Sequence, residues 1–124
     1  MIDFSKAGVI KLQLTDNKDC SSTVANILVE GEEVIYTFKT VRDNVVFTNL
    51  RIIGINVQGT TGKKRDVTSL PLKNVQAFSV ESAAVLATKC SMELWFAGLG
   101  QVKLEFDAKT DVYRLTKVIG YRAL

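Results

Sequence analysis

Residues 41–64 constrain the fold more than any other segment. They read VRDNVVFTNLRIIGINVQGTTGKK. The β-branched and aromatic runs at 44–48 and 50–57 suit strands. Arg42-Asp43-Asn44 suits the turn before them, because Asp and Asn side chains accept local backbone bonds. Gln58-Gly59-Thr60-Thr61-Gly62 suits a hairpin loop with two glycines free to take positive φ. Within 50–57, Leu50 and Ile52 fall on one face, and Ile53, Ile55 and Val57 on the other. One of these faces must be core. The other is an apolar patch that monomers rarely leave exposed.

The rest of the chain extends this β pattern. Strands are expected at 33–41, 64–70, 75–80, 90–97 and 101–107, which brings the count to seven. Pro71, the one proline, ends its strand because it has no N–H for the ladder. Gly98-Leu99-Gly100 marks a hairpin. Residues 9–14 alternate and read as an N-terminal arm or strand within 1–19. A short helix is expected inside 20–31, capped by Ser21 or Ser22 and stopped at Gly31. A second helix is expected over 110–124. Thr110 would cap it, and Val112, Leu115 and Ile119 would make its apolar face. Seven short antiparallel strands close best as a small barrel or two near-orthogonal sheets, with the last helix over one opening.

With 124 residues the chain fits one domain, 1–124. Its 47% hydrophobic share supports a core without metal or disulfide staples. Cys20 and Cys90 have no pairing motif and read as free, buried thiols suited to a reducing compartment. The N-terminus lacks the pattern of a signal peptide, and no apolar run reaches the ~18 residues of a membrane span. A cytoplasmic location without stable membrane insertion is therefore expected. The net charge of +3 is mild and its signs are interspersed, so nucleic acid is not an expected partner.

The chain has no histidine. That removes the commonest general base, His-based nucleophile activation and His-ligated zinc. No glycine run matches a nucleotide-binding loop. The cluster Glu30, Glu32 and Glu33 reads as a solvated turn. A histidine-free carboxylate enzyme is the weakest reading, and no catalytic residue, metal or cofactor is assigned.

Several motifs stand in order along the chain: Glu30-Gly31-Glu32, Arg42-Asp43, Phe47-Thr48-Asn49 with Arg51, Gln58-Gly59 with Thr61-Gly62-Lys63-Lys64, Pro71-Leu72-Lys73 and Phe78-Ser79-Val80-Glu81. This ordered set resembles the bacterial pleckstrin-homology-like domain family over about residues 24–124. The resemblance implies a mainly β, PH-like seven-stranded antiparallel barrel capped by a C-terminal helix, which agrees with the element count. It also implies ring-shaped homo-oligomers, without an enzymatic activity or a settled ligand. The chain departs from the family pattern at Asn56, Leu72 and Glu81-Ser82-Ala83-Ala84.

Two functional expectations follow. The leading one is a non-enzymatic homo-oligomeric scaffold of unknown cellular role. The apolar patch is covered either by another segment of the chain, the arm at 9–14 being one candidate, or by a second subunit; the expectation is the subunit. Its interface would use Ile53, Ile55, Val57 and the outward Trp95. An unknown protein partner is compatible with this. The alternative is a module that binds an anionic headgroup or phosphate through the basic hairpin Lys63, Lys64 and Arg65, with Lys73 nearby. Arg42, Asp43 and Arg51 are expected to serve turns and strand pairing.

Overall fold

The computed structural model describes residues 1–58, 64–86 and 88–124. These form β1 (Val9–Thr15), α1 (Ser21–Ala25), β2 (Val34–Lys39), β3 (Asp43–Thr48), β4 (Arg51–Gln58) and β5 (Lys64–Pro71). A 3-10 turn (Leu72–Asn74), β6 (Val75–Glu81), β7 (Lys89–Phe96), β8 (Gly100–Asp107) and α2 (Val112–Ala123) follow. The strand order is β5-β4-β3-β2-β1-β8-β7-β6. The sheet is curled into a half-barrel, with α2 packed on β6, β7 and the 3-10 turn.

Among the described residues there are eight strands, one more than the expected barrel, because the segment at 9–15 is a strand. It joins the two halves of the sheet. Val9–Leu12 pairs in parallel with β8, and Gln13–Thr15 pairs antiparallel with β2. All other pairings are antiparallel.

The inner face carries the main core. Phe38, Phe47 and Phe106 meet with ring centroids 5.1–6.2 Å apart. Leu94, Leu104, Leu115 and Ile119 pack in the same cluster and are fully buried. The period-2 alternation of β7 is clear: Cys90, Met92, Leu94 and Phe96 are buried, while Glu93 and Trp95 face out. Leu72, one of the family departures, is buried and fills the core beneath the 3-10 turn.

Gly54 sits where the N-terminal segment crosses the sheet. A Cβ there would lie 2.7 Å from Phe4 Cζ and 2.8 Å from Ile2 Cδ1. Glycine lets residues 2–4 lie against β4, and the Ile2 N–H donates to Thr68 Oγ1 at 3.1 Å. Asn56, another departure, donates from Nδ2 to Asp43 Oδ1 on the neighbouring strand. An aspartate there would set like charges opposite each other.

Local chemistry corrects three expectations. Helix α1 is only five residues long; Cys20 is its N-cap, without a side-chain cap bond, and it ends before Asn26. Gly31, expected to close that helix, instead takes φ +82° in the turn that enters β2. At α2 the cap is Asp111, whose carboxylate accepts from the Arg114 N–H at 3.0 Å. Thr110 is buried and donates to Asp107 Oδ1 instead.

Candidate functional site

The apolar patch on the outer face of β4 is covered by the chain itself. Ile53 and Ile55 are buried with Val46 beneath Cys20 and Val24, flanked by Ile27, Leu28 and Val34. The covering segment is the short helix and its following turn, not the arm at 9–14. Two residues assigned to an oligomer interface, Ile53 and Ile55, are thus core residues of a second, outer layer. The apolar excess on this face does not require another subunit. The side chain of Val57 lies outside the described residues.

The covering segment is clamped by polar chemistry. Arg51 donates from Nε to Glu32 Oε2 at 2.9 Å and from Nη2 to Glu32 Oε1 at 2.8 Å. Its Nη2 also donates to the Ile27 carbonyl at 2.6 Å, and its Nη1 to Ser69 Oγ at 3.0 Å. Glu32 further accepts from Thr48 Oγ1 at 2.6 Å and from the Val29 N–H at 3.1 Å. Asn49 adds two bonds: its Oδ1 accepts from Glu33 N–H and its Nδ2 donates to the Gly31 carbonyl. The Glu32 side chain is fully buried, so its place in a solvated acidic turn is corrected. A buried carboxylate persists when it is paired and its lone pairs are filled. Burial pushes the Glu32 carboxyl up, but the bonds from Arg51, Thr48 and Val29 outweigh it and hold it below the usual range.

Beside this clamp lies an open cleft of about 500 Å³. Val29, Leu50 and Pro71 give it an apolar floor, and Arg51, Lys73 and Arg122 surround it. Lys73 comes from the 3-10 turn and Arg122 from the last turn of α2, which pack against each other. Among the described residues, neither Lys73 nor Arg122 has a hydrogen-bond or ion-pair partner. Arg122 carried no local signal in the sequence, because only the docking of α2 brings it here.

The expected basic site is not assembled as one cluster. Lys64 and Arg65 are exposed at the start of β5, whereas Lys73 follows its far end. At about 3.3 Å per residue the strand separates these ends by roughly 23 Å. Lys63 and the hairpin tip at 59–62 lie outside the described residues. Trp95 is 49% exposed on the outer face of β7, paired with Ala77 on β6 and Gln101 on β8.

The remaining reactive groups are inert in their surroundings. Cys20 and Cys90 are both buried free thiols, in separate layers. Burial raises both, with nearby Asp19 and Asp107 adding to it, so neither is an activated nucleophile. Among the described residues, no group of three or more Cys, Asp or Glu is placed to hold a metal ion. Among the same residues, no helix is long and apolar enough to cross a membrane.

A curled, mostly antiparallel sheet capped by a C-terminal helix defines the PH-like class. The chain belongs to the Bacterial PH domain family, whose match spans residues 3–122. It is 40% identical over 98 residues to the uncharacterized protein YjqA of Bacillus subtilis (strain 168), covering 77% of this chain and 78% of that protein. A DUF1696-family protein with a pleckstrin-homology domain from Shewanella loihica PV-4 superposes with a TM-score of 0.71 at 30% identity, covering 92% of this chain and 98% of the other. A pleckstrin homology domain from Shewanella amazonensis SB2B gives 0.59 at 35% identity, covering 89% and 90%.

Proposed function

We propose that this protein is a non-enzymatic interaction domain that works in the cytoplasm as a homo-oligomeric scaffold. Trp95 is the observation that carries this reading. It stands half-exposed at the centre of the outer face of β6, β7 and β8, over a shallow cleft walled by Ala77, Ser79, Glu93 and Gln101. A large aromatic with a polar surround is the usual anchor of a protein interface. The sheet also ends in two edge strands, β5 and β6. Edge strands offer unpaired backbone groups to a neighbouring copy.

Light scattering at tens of micromolar tests this. The expected mass is a multiple of the monomer, falling towards the monomer in Trp95→Glu. A monomeric wild type overturns the reading. An oligomer unchanged by Trp95→Glu removes Trp95 as its anchor.

A second reading is a module for an anionic headgroup or phosphate at the basic start of β5. It is supported by the exposure of the consecutive residues Lys64 and Arg65, whose side chains flank the two faces of that strand end. Liposome flotation at low salt tests it. A Lys63/Lys64/Arg65 triple alanine variant is expected to lose the bound fraction, and equal flotation of the two proteins sinks the idea.

A further inference from the structure

We propose that the cleft between the Glu32–Arg51 clamp, the 3-10 turn and the end of α2 binds a small amphipathic anion. The ligand has one carboxylate or phosphate head and an apolar body. This site is separate from both the Trp95 face and the basic start of β5.

The charge balance of the cleft points to an anion. Its one carboxylate, Glu32, has no capacity left for Lys73 or Arg122. Each of its oxygens already accepts two bonds, from Arg51 and the Val29 N–H on one side and from Arg51 and Thr48 on the other. Arg51 balances its charge. Lys73 and Arg122 therefore contribute two positive charges with no counterion among the described residues. The flank of α2 adds Arg114 and Lys117, and the helix contains no acidic residue. Arg114, Lys117 and Arg122 line an adjoining depression on that helix. Such a concentration of cations raises the local concentration of anions.

The floor selects the rest of the ligand. Val29, a large apolar residue, is 55% exposed there, and Leu50 and Pro71 continue the apolar surface. An inorganic phosphate would satisfy the cations and leave this floor wet. A neutral hydrocarbon would cover the floor and leave the cations without a charge-assisted bond. An amphipathic anion does both. The volume of about 500 Å³ lies in the ~300–1,000 Å³ range of small-molecule sites. The guanidinium of Arg51, held by four bonds, gives the wall a fixed shape before any ligand arrives.

Amide NMR titration of the full chain tests this with octyl phosphate, octanoate, inorganic phosphate and octanol, each below any micellar concentration. At least one of the two amphipathic anions is expected to bind saturably, with shifts centred on Val29, Leu50, Lys73 and Arg122. It should bind at least tenfold more tightly than inorganic phosphate or octanol. The stronger of octyl phosphate and octanoate identifies the head group. Lys73→Ala/Arg122→Ala should weaken that binding at least tenfold. Both side chains are exposed and unpaired among the described residues, so the variant is expected to fold, and its spectrum reports that directly. Lys64→Ala/Arg65→Ala, at the far end of β5, should leave affinity unchanged, which separates this cleft from the basic hairpin. Equal binding by octanol or inorganic phosphate, shifts centred elsewhere, or an unchanged affinity in Lys73→Ala/Arg122→Ala would overturn the proposal. So would association seen with anionic vesicles but with neither soluble anion.

Discussion

Strands β3 and β4 bury apolar residues on both faces, but different physics holds each face. On the inner face, Val45, Phe47 and Ile52 enter a large cluster with Phe38, Phe106 and the apolar side of α2. That layer is held by area and close packing. On the outer face, Val46, Ile53 and Ile55 are covered by a five-residue helix and a turn. A helix that short does not hold together on its own. Its cover depends on the Arg51–Glu32 clamp, which ties the turn to β4. The inner layer is thus a cooperative core, and the outer layer is a flap anchored by one polar network. Local opening is expected to begin in the outer layer.

The largest expected effect lies in the inner face. Phe47→Ala should cost about 3–5 kcal/mol, because Phe47 is fully buried between two other rings. Urea unfolding by circular dichroism measures it, and the loss should be global. A cost below about 1 kcal/mol would remove the contrast between the two layers.

Arg51→Ala ranks next. It leaves the buried Glu32 carboxylate without its partner, at a cost of about 3 kcal/mol. Hydrogen exchange should show where the damage falls. Amides of residues 20–33 should lose protection before those of β7 and β8. Uniform loss across the chain would show that the flap and the core are one cooperative unit.

Gly54→Val should be milder, about 1–3 kcal/mol, because the new side chain meets Phe4 and Ile2. Displacement of residues 2–4 is the expected response. Protease nicking near the N-terminus, with the sheet intact, would report it. An unchanged midpoint and unchanged digestion would show that these residues give way freely.

The smallest effect is a pH dependence. The folded Glu32 carboxyl lies below its ordinary value of 4.5. A depressed folded value means that its contribution is complete above pH 4.5. It is lost as the pH falls through the lower folded value. Glu32→Gln should therefore lower the melting temperature at neutral pH and give a shallower acid slope below pH 4.5. Parallel slopes in the two proteins would contradict the clamp as the source of this term.

The fold was largely legible because its signals are local. The hairpin signal Gly98-Leu99-Gly100 separated β7 from β8, and i, i+3, i+7 spacing named α2 from Val112, Leu115 and Ile119. The eighth strand was ambiguous, since Val9–Thr15 has no hairpin partner beside it in sequence and pairs in parallel with the remote β8. The site was far less legible. Ile53 and Ile55 had to be covered by something, but their spacing says nothing about what covers them. Glu32 looked solvated beside Glu30 and Glu33, because a carboxylate's burial depends on an arginine 19 residues away. The basic residues show the same limit. Lys63, Lys64, Arg65 and Lys73 are close in the chain, yet the extended β5 holds Lys64 and Lys73 apart.

The amino-acid sequence by itself determined the strands, the terminal helix, the PH-like class and the absence of histidine chemistry. These follow from backbone preference and from which side chains exist at all. Only the tertiary structure decided that the outer apolar face is closed by the chain's own residues 20–28. It also decided that Glu32 is a buried clamp, and that Lys73 shares a cleft with Arg122 rather than a hairpin with Lys64. Those outcomes are contacts between segments far apart in sequence, and a contact of that kind exists only after the sheet curls and α2 docks.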